Sequence, residues 1–399
     1  MSFTELASLL KTQTAVPGNF KKRHIVQFRD MRVYRRFVEA FHGFASESGE
    51  SDCVLLPPAG AIRIALTGTE PFEPLREWVV VEPDRKVHVE TRGFLPTTTR
   101  PPSSVPDPSQ RIPWGVRAVN APFLWKKSRG EGVRIGIVDT GVDFSHDDIK
   151  PALMRGVNLL NRNLLPFDDN GHGTHIAGTI AASNAAGGIR GVAPGAKLYP
   201  IKAFDREGSA YVSDIILSIH WCIAHGIDVI NMSFGMSSYS PSLHQAVKSA
   251  YQRNVIVVAS SGNHGRRGAI DYPARFTQTI AVGAVNKRNR IAAFSNRSRH
   301  VDLYAPGEAV YSTWPGSKYN HLNGTSMAAA HVSGVIALLL SAKPGLSLNR
   351  LKEALLSSAA PLVRHGGKSA GTAGVLDAKR AWRALHEKKP VSPLRRRKF

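Results

Sequence analysis

The sequence predicts a small α+β open-faced sandwich followed by a larger α/β unit, a parallel-sheet three-layer sandwich. From Val133 onward, short apolar runs of strand length alternate with helical patterns, which calls for a parallel sheet covered on both faces. Up to Glu90 the pattern runs β-α-β-β-α-β instead. Between the two lies Thr97–Pro108, proline-rich and nearly free of apolar residues. With 399 residues, 42% of them hydrophobic, the chain has material for more than one core. The expected division is a flexible N-terminus over 1–20, the small unit over 21–91, a linker over 92–109, the large unit over 110–387 and a basic tail over 388–399.

In the small unit, His24–Phe28 reads as a strand, and Tyr34, Phe37, Val38, Phe41 and Phe44 recur at helical spacing. Strands are expected at Cys53–Leu56, Ala61–Leu66, Trp78–Glu82 and Val87–Glu90, with a short helix near Leu75. In the large unit, Val133–Val138 is an apolar strand ending on Asp139. Strands at Leu198–Ala203, Val229–Met232, Val255–Ala259 and Thr279–Val285 alternate with helices at Ser213–His225 and Leu243–Arg253. Met327–Leu340 reads as a buried helix, and a last helix follows Gly374–Ala378.

Chemistry concentrates where these elements begin or end. Ser326 opens the Met327 helix from Asn323-Gly324-Thr325, where unpaired N–H groups and the helix dipole favour developing negative charge. By itself it reads equally as an N-cap serine. Asp139 lies beyond a strand's carboxyl end, the place where ligand-binding groups of open α/β sheets cluster. His172 stands at a turn-to-helix junction, Asp169-Asn170-Gly171-His172-Gly173-Thr174-His175, among small residues that admit close approach. His172 and His175 could pair on a metal, but no HExxH or CxxC accompanies them.

Taken together, the Asp139, His172 and Ser326 motifs, with Ser260-Ser261-Gly262-Asn263 after the strand from Val255, resemble those of the subtilisin-like serine peptidases, in that family's chain order. The similarity runs from about Gln110 to about Ala384. It implies a peptide-bond hydrolase acting through an acyl-enzyme, with Ser326 as nucleophile, His172 as general base and Asp139 as its orienting partner. Asn263 matches the oxyanion-hole asparagine. Ser233-Phe234-Gly235 resembles the edge that pairs with an extended substrate, and backbone pairing implies broad specificity. Ser260, Ser261 and Gly262 match a wall of the pocket for the residue before the scissile bond. Asp271 matches a position near its floor, where a buried carboxylate favours arginine or lysine, with His264 nearby to oppose a cation when protonated.

The same resemblance extends to regulation and to a metal. The small unit is similar in pattern to the inhibitor-like propeptide, which implies a self-inhibited zymogen whose maturation cleavage falls between about Glu90 and Ser109. No cofactor is implied for catalysis. A structural calcium is implied at Gln110, Asp148 and the loop carrying Ser183, Asn184, Gly187 and Ile189, with Ala185 where the family offers an asparagine side chain and Asn184 one residue earlier.

Charge is strongly asymmetric. Lys plus Arg minus Asp plus Glu gives 14 − 13 = +1 over 1–108 and 38 − 17 = +21 over 109–399. Such a field adsorbs polyanions, although no zinc-finger or RNA-recognition motif accompanies it. Cys53 and Cys222 fall in different units, so no disulfide framework is expected. No apolar stretch is expected to span a membrane. Met1–Lys22 lacks a secretory signal pattern, so the sequence as it stands reads as intracellular, and a start placed elsewhere would reopen secretion. A monomer acting on proteins or peptides is expected. The competing readings are a scaffold of this fold without turnover and a basic nucleic-acid-associated protein.

Overall fold

The computed structural model describes residues 22–42, 53–89, 103, 107–184, 187–362 and 373–386. The expectations for 1–20, for most of the linker and for the tail 388–399 lie outside the described residues. In the N-terminal region, Lys22–Phe28 (β1), Met31–His42 (α1), Cys53–Leu56 (β2), Ala61–Leu66 (β3) and Val79–Pro83 (β4) form an antiparallel sheet of order β2-β3-β1-β4. The expected helix near Leu75 is a 3₁₀ segment, Glu70–Leu75, because Pro74 inside it lacks the N–H that an α-helix needs.

That sheet is buried on both faces, which is why β1 shows no clean polar alternation. On one face Phe28 packs against Tyr34 and Phe37 of α1, with ring centroids 5.6 and 5.1 Å apart. The other face sends Ile25, Leu56 and Ala61 into the core of the large region, joined by Ala59 of the 3₁₀ turn Pro57–Ala59 between β2 and β3. The next strand, Lys86–His88 (β5), leaves the N-terminal sheet altogether and pairs antiparallel with Ser209–Tyr211.

The large region continues with Trp114–Ala118 (α2), Ala121–Leu124 (α3), Arg134–Asp139 (β6), Val157–Asn158 (β7), His172–Ala181 (α4), Lys197–Lys202 (β8), Ser209–Tyr211 (β9), Val212–Ala224 (α5), Val229–Met232 (β10), Pro241–Gln252 (α6), Ile256–Ser260 (β11), Thr279–Val285 (β12) and Leu303–Pro306 (β13). A hairpin, Val310–Trp314 (β14) and Lys318–Leu322 (β15), precedes the helices Thr325–Ala342 (α7), Leu348–Ser357 (α8) and Ala378–His386 (α9). Seven strands in the order β13-β12-β11-β10-β6-β8-β7 make one parallel sheet.

Alternate residues of β6 feed opposite layers. Ile135 and Ile137 pack with α4 and α7, while Val138 packs with α5 and α6. From β6 the chain steps outward to β8 and then returns to β10 on the other side of β6, so the direction of winding reverses between β6 and β10. Crevices of α/β sheets open at such a reversal, beyond the strands' carboxyl ends.

Contrary to the expectation of no membrane-length stretch, α7 is long and apolar enough to cross a bilayer, with mean hydropathy 1.6. It is the central helix of this core instead, 83% buried within the fold. Its small residues permit close packing: a Cβ on Gly334 would lie 2.6 Å from Val192 Cβ.

Candidate active site

The parallel register sets the first relation. Val138 of β6 pairs with Met232 of β10, so the next residues, Asp139 and Ser233, leave the sheet side by side, about 4.8 Å apart at the usual strand spacing. Asp139 is fully buried and its Oδ1 lies 2.7 Å from His172 Nδ1. His172 begins α4 after Gly171, whose φ of +111° suits glycine and whose missing side chain makes room for Trp314: a Cβ there would lie 2.5 Å from the indole. Burial alone lowers the imidazole pKa, but the Asp139 charge and hydrogen bond, then the Asp168 charge, outweigh it and leave His172 raised above its ordinary 6.5.

Ser326 opens α7 on the other side of this crevice. Its hydroxyl donates to the Ser233 carbonyl at 3.0 Å. Among the described residues no hydrogen bond joins Ser326 to His172, so the structure brings aspartate and histidine into contact and leaves the serine hydroxyl turned to its neighbouring strand. Asn263 follows β11. Its Oδ1 accepts from Thr325 N and Thr325 Oγ1, both at 2.9 Å, which fixes the amide orientation and turns Nδ2 away from Thr325. A Cβ built on Gly324 would lie 3.4 Å from Asn263 Nδ2 and 3.6 Å from Ser326 N. Those two donors therefore border one small space, which any larger residue at position 324 would fill.

Three groups around the site carried no assignment in the sequence. Asp168, 1% exposed, accepts at Oδ1 from Thr140 Oγ1, Asn170 N and Gly171 N, and at Oδ2 from Thr174 N and Thr174 Oγ1. It thereby caps the helix that carries His172. Thr140 links the two acids, since its N–H donates to Asp139 Oδ1 at 2.8 Å and its hydroxyl to Asp168 at 2.8 Å. Lys202, 4% exposed, donates from Nζ to the Thr140 carbonyl and to Asp169 Oδ1, each at 2.6 Å, tying the aspartate turn to the histidine loop. An aspartate just ahead of a helical pattern is a legible cap signal and could have pointed to Asp168. Nothing local marks Lys202, which meets its partners only through tertiary folding.

His175 is core, not ligand. Its Nε2 lies 3.1 and 3.2 Å from the Val310 and Asn320 carbonyls, and burial pushes its pKa down to about 3. Among the described residues there is no group of three His, Cys, Asp or Glu side chains fit for a metal.

Of the residues matched to substrate binding, Phe234 sends its ring into the core, 5.0 Å from that of Phe204, so its backbone is what remains to offer. Gly235 forms an antiparallel bridge with His88, and Ser260 Oγ donates to the Phe234 carbonyl at 3.3 Å. Asp271 N donates to the Ser261 carbonyl at 3.1 Å, and a Cβ on Gly262, whose φ is +102°, would strike Asp271 Oδ2 at 2.2 Å. The Asp271 carboxylate is 2% exposed and already engaged: Arg266 Nη1 lies 3.2 Å from Oδ1 and His264 Nδ1 3.7 Å from Oδ2.

Of the residues matched to calcium, Asp148, Ser183 and Ile189 meet. Asp148 Oδ2 accepts from Ile189 N at 2.7 Å and from the Tyr319 hydroxyl at 2.8 Å, and Ser183 donates from N and Oγ to the Asp148 carbonyl. Asp148 Oδ1, Gln110 Oε1 and Asn184 Oδ1 are buried without a donor. Oxygens left without a donor suit a hard cation, and Gly188 leaves room at the Asp148 carboxylate, where a Cβ would lie 2.1 Å from Oδ2. Asn184 takes φ +59°, a left-handed conformation that asparagine tolerates.

The sequence profile of the subtilase family matches residues 130–381. The chain is 42% identical over 258 residues to subtilisin DY of Bacillus licheniformis, covering 64% of this chain and 93% of that protein. It is 36% identical over 366 residues to M-protease of Shouchella clausii (strain KSM-K16), covering 91% and 92%. To subtilisin Savinase of Lederbergia lenta it is 41% identical over 276 residues, covering 69% of this chain and all of that protein.

Proposed function

From the premise that this chain belongs to the subtilase family and is a serine endopeptidase, we propose that Asp139, His172 and Ser326 are its catalytic triad and Asn263 its oxyanion donor. The observation that carries the reading is the buried 2.7 Å contact between Asp139 and His172 at the same strand ends that hold Ser326 and Asn263. On this reading a χ1 rotation between staggered wells takes the Ser326 hydroxyl from the Ser233 carbonyl toward the imidazole. His172 Nε2 then takes the hydroxyl proton as Oγ attacks the peptide carbonyl, and returns it to the leaving amine. Asp139 holds Nδ1–H and stabilises the imidazolium without taking the proton. Asn263 Nδ2 and Ser326 N donate to the oxygen as it gains charge. Losing one such donor costs about 3–4 kcal/mol of barrier, a magnitude established on subtilisin itself.

Residues 21–91 act on this reading as an intramolecular inhibitor, 92–109 as the linker that is cut, and 110–387 as the enzyme. Supporting this, β5 lies between two backbone edges of the large region, β9 on one side and Gly235 on the other. The match to M-protease spans 91% of the chain and so includes most of the N-terminal region. A substrate would take the place of β5 as an added strand along Ser233, Phe234 and Gly235, which supports broad specificity. The preference for arginine or lysine rests on the depth of the Asp271 carboxylate, and Arg266 stands against it. Calcium would be held by Gln110, Asp148 and Asn184 with carbonyls of the 183–189 loop, stiffening the start of the enzyme region and taking no part in catalysis. The enzyme acts as a monomer, and the +21 of its larger part adsorbs polyanions without sequence reading.

The test is a fluorophosphonate probe with mass spectrometry of the full chain and of Ser326→Ala. Expected are covalent label on Ser326 and self-cleavage between Glu90 and Ser109 in the native chain, with neither in the variant. Label that survives Ser326→Ala contradicts the assignment.

A further inference from the structure

The loops that form and support the pocket wall carry a dense positive charge. From His264 to His300 there are eight Arg and Lys against one acid, Asp271, a net of 8 − 1 = +7. Two of these loops are stitched side by side: Arg267 and Arg297 form a parallel bridge, Arg297 N donates to the Arg266 carbonyl, and Gly268 N donates to the Arg297 carbonyl, both at 2.7 Å. Asn296 joins them to the wall. Its Nδ2 donates to the Ser261 carbonyl at 3.0 Å, while its Oδ1 accepts from His264 N at 3.1 Å and from Arg266 N at 2.9 Å. Arg266, Arg267 and Arg299 are exposed and Arg297 half-buried, so this charge lies at the surface of the two loops that Asn296 ties to the wall.

Resting on the serine-peptidase reading of the site, we infer that Arg266 is its specificity-determining residue: by cancelling Asp271 it turns the pocket against arginine and lysine, and with Arg267, Arg297 and Arg299 it makes acidic side chains at or beside the residue before the scissile bond the favoured substrates. A floor carboxylate attracts a cationic side chain only while its charge is uncompensated. Here the guanidinium at 3.2 Å already occupies Oδ1, and an incoming arginine would be desolvated against a like charge. An incoming glutamate meets several guanidiniums within one patch and a floor that no longer repels it. The discriminating element is repulsive as much as attractive.

The experiment uses enzyme matured from the full chain, its active sites counted with the fluorophosphonate, on tetrapeptide p-nitroanilides that differ only in a final Glu, Arg or Phe. Native enzyme is expected to show kcat/KM for Glu above Arg by at least about 10-fold, narrowing in high salt. Arg266→Gln should shift the Arg-to-Glu ratio toward Arg by about 10-fold or more, because it uncovers Asp271. Asp271→Asn should widen the native order. The surface pair Arg267→Glu and Arg299→Glu, away from the floor, should lower Glu alone. Because ratios per labelled site are compared, partial misfolding of a variant cancels. An Arg rate equal to or above Glu in native enzyme, or an unchanged ratio in Arg266→Gln, overturns the inference while leaving the peptidase standing. A chain that neither labels nor cuts the Phe peptide overturns both.

Discussion

Replacing Glu82 and Asp84 together by alanine should release the N-terminal region from the enzyme. The Asp84 side chain is fully buried and accepts from Ser213 N at 2.9 Å, Ser213 Oγ at 2.8 Å and Arg23 Nε at 2.9 Å. Glu82 Oε1 accepts from Ser242 N at 3.0 Å and Ser240 Oγ at 3.1 Å. Ser213 and Ser242 are the second residues of α5 and α6, so each carboxylate satisfies an unpaired N–H and meets the positive end of a helix dipole. A lost cap costs about 1 kcal/mol and a lost charge-assisted hydrogen bond about 1.5–3 kcal/mol. With water re-solvating the freed partners, about 2 kcal/mol per carboxylate and about 4 kcal/mol for the pair is the net expectation, or roughly 10³-fold in affinity. The assay titrates residues 21–91, made as a separate polypeptide, against mature enzyme cutting a chromogenic peptide. Arg36→Ala on the exposed side of α1 serves as the control. A double variant whose inhibition constant stays within about threefold of native would refute the capping argument, since that is under 1 kcal/mol.

Two further outcomes follow from the site. Asp168→Asn removes one of the charges holding the His172 pKa up, and since the base must be neutral to act, the acid limb of kcat/KM against pH should move to lower pH; a limb that moves up contradicts the electrostatics. A chelator should lower the Tm of the native enzyme and have no further effect on Asp148→Asn, as read by calorimetry; a chelator-insensitive native Tm argues that Gln110, Asp148 and Asn184 hold no cation.

The parallel sheet was legible because its central strands are short, apolar runs: Val229–Met232 and Thr279–Val285 appear at the predicted bounds, and other elements shift by a residue or two at their ends. The hairpin of β14 and β15 escaped notice because Tyr311, Ser312, Thr313, Asn320 and His321 mix polar and aromatic residues whose burial comes from α4 and the loop of Asp148, not from their own pattern. The apolar strand at Val87–Glu90 was visible, but its partner was not: β5 pairs across to β9 and leaves its own sheet, a long-range choice that no local periodicity records. In the site, residue types at strand ends and helix starts pointed to Asp139, His172 and Ser326, and the family resemblance to Asn263. Lys202 stayed hidden, since a lysine in a strand is ordinarily solvated and only the converging Thr140 carbonyl and Asp169 make it a tether. Asp271 was read as a floor carboxylate with His264 nearby, and the structure adds a partner, Arg266, that sequence proximity alone did not bring forward.

The place held by Lys86–His88 admits a polypeptide only when it is stretched, with backbone groups turned out to β9 on one flank and to Gly235 on the other. A coil of helix or a tight turn offers no such ladder. If substrate replaces β5 as proposed, a target must first surrender its own local architecture over several residues, and susceptibility becomes a readout of how cheaply a segment opens, from nearly nothing in a fraying terminus to the full unfolding free energy in a packed interior. Enzymes built around this slot therefore sort proteins by looseness before they sort them by side chain.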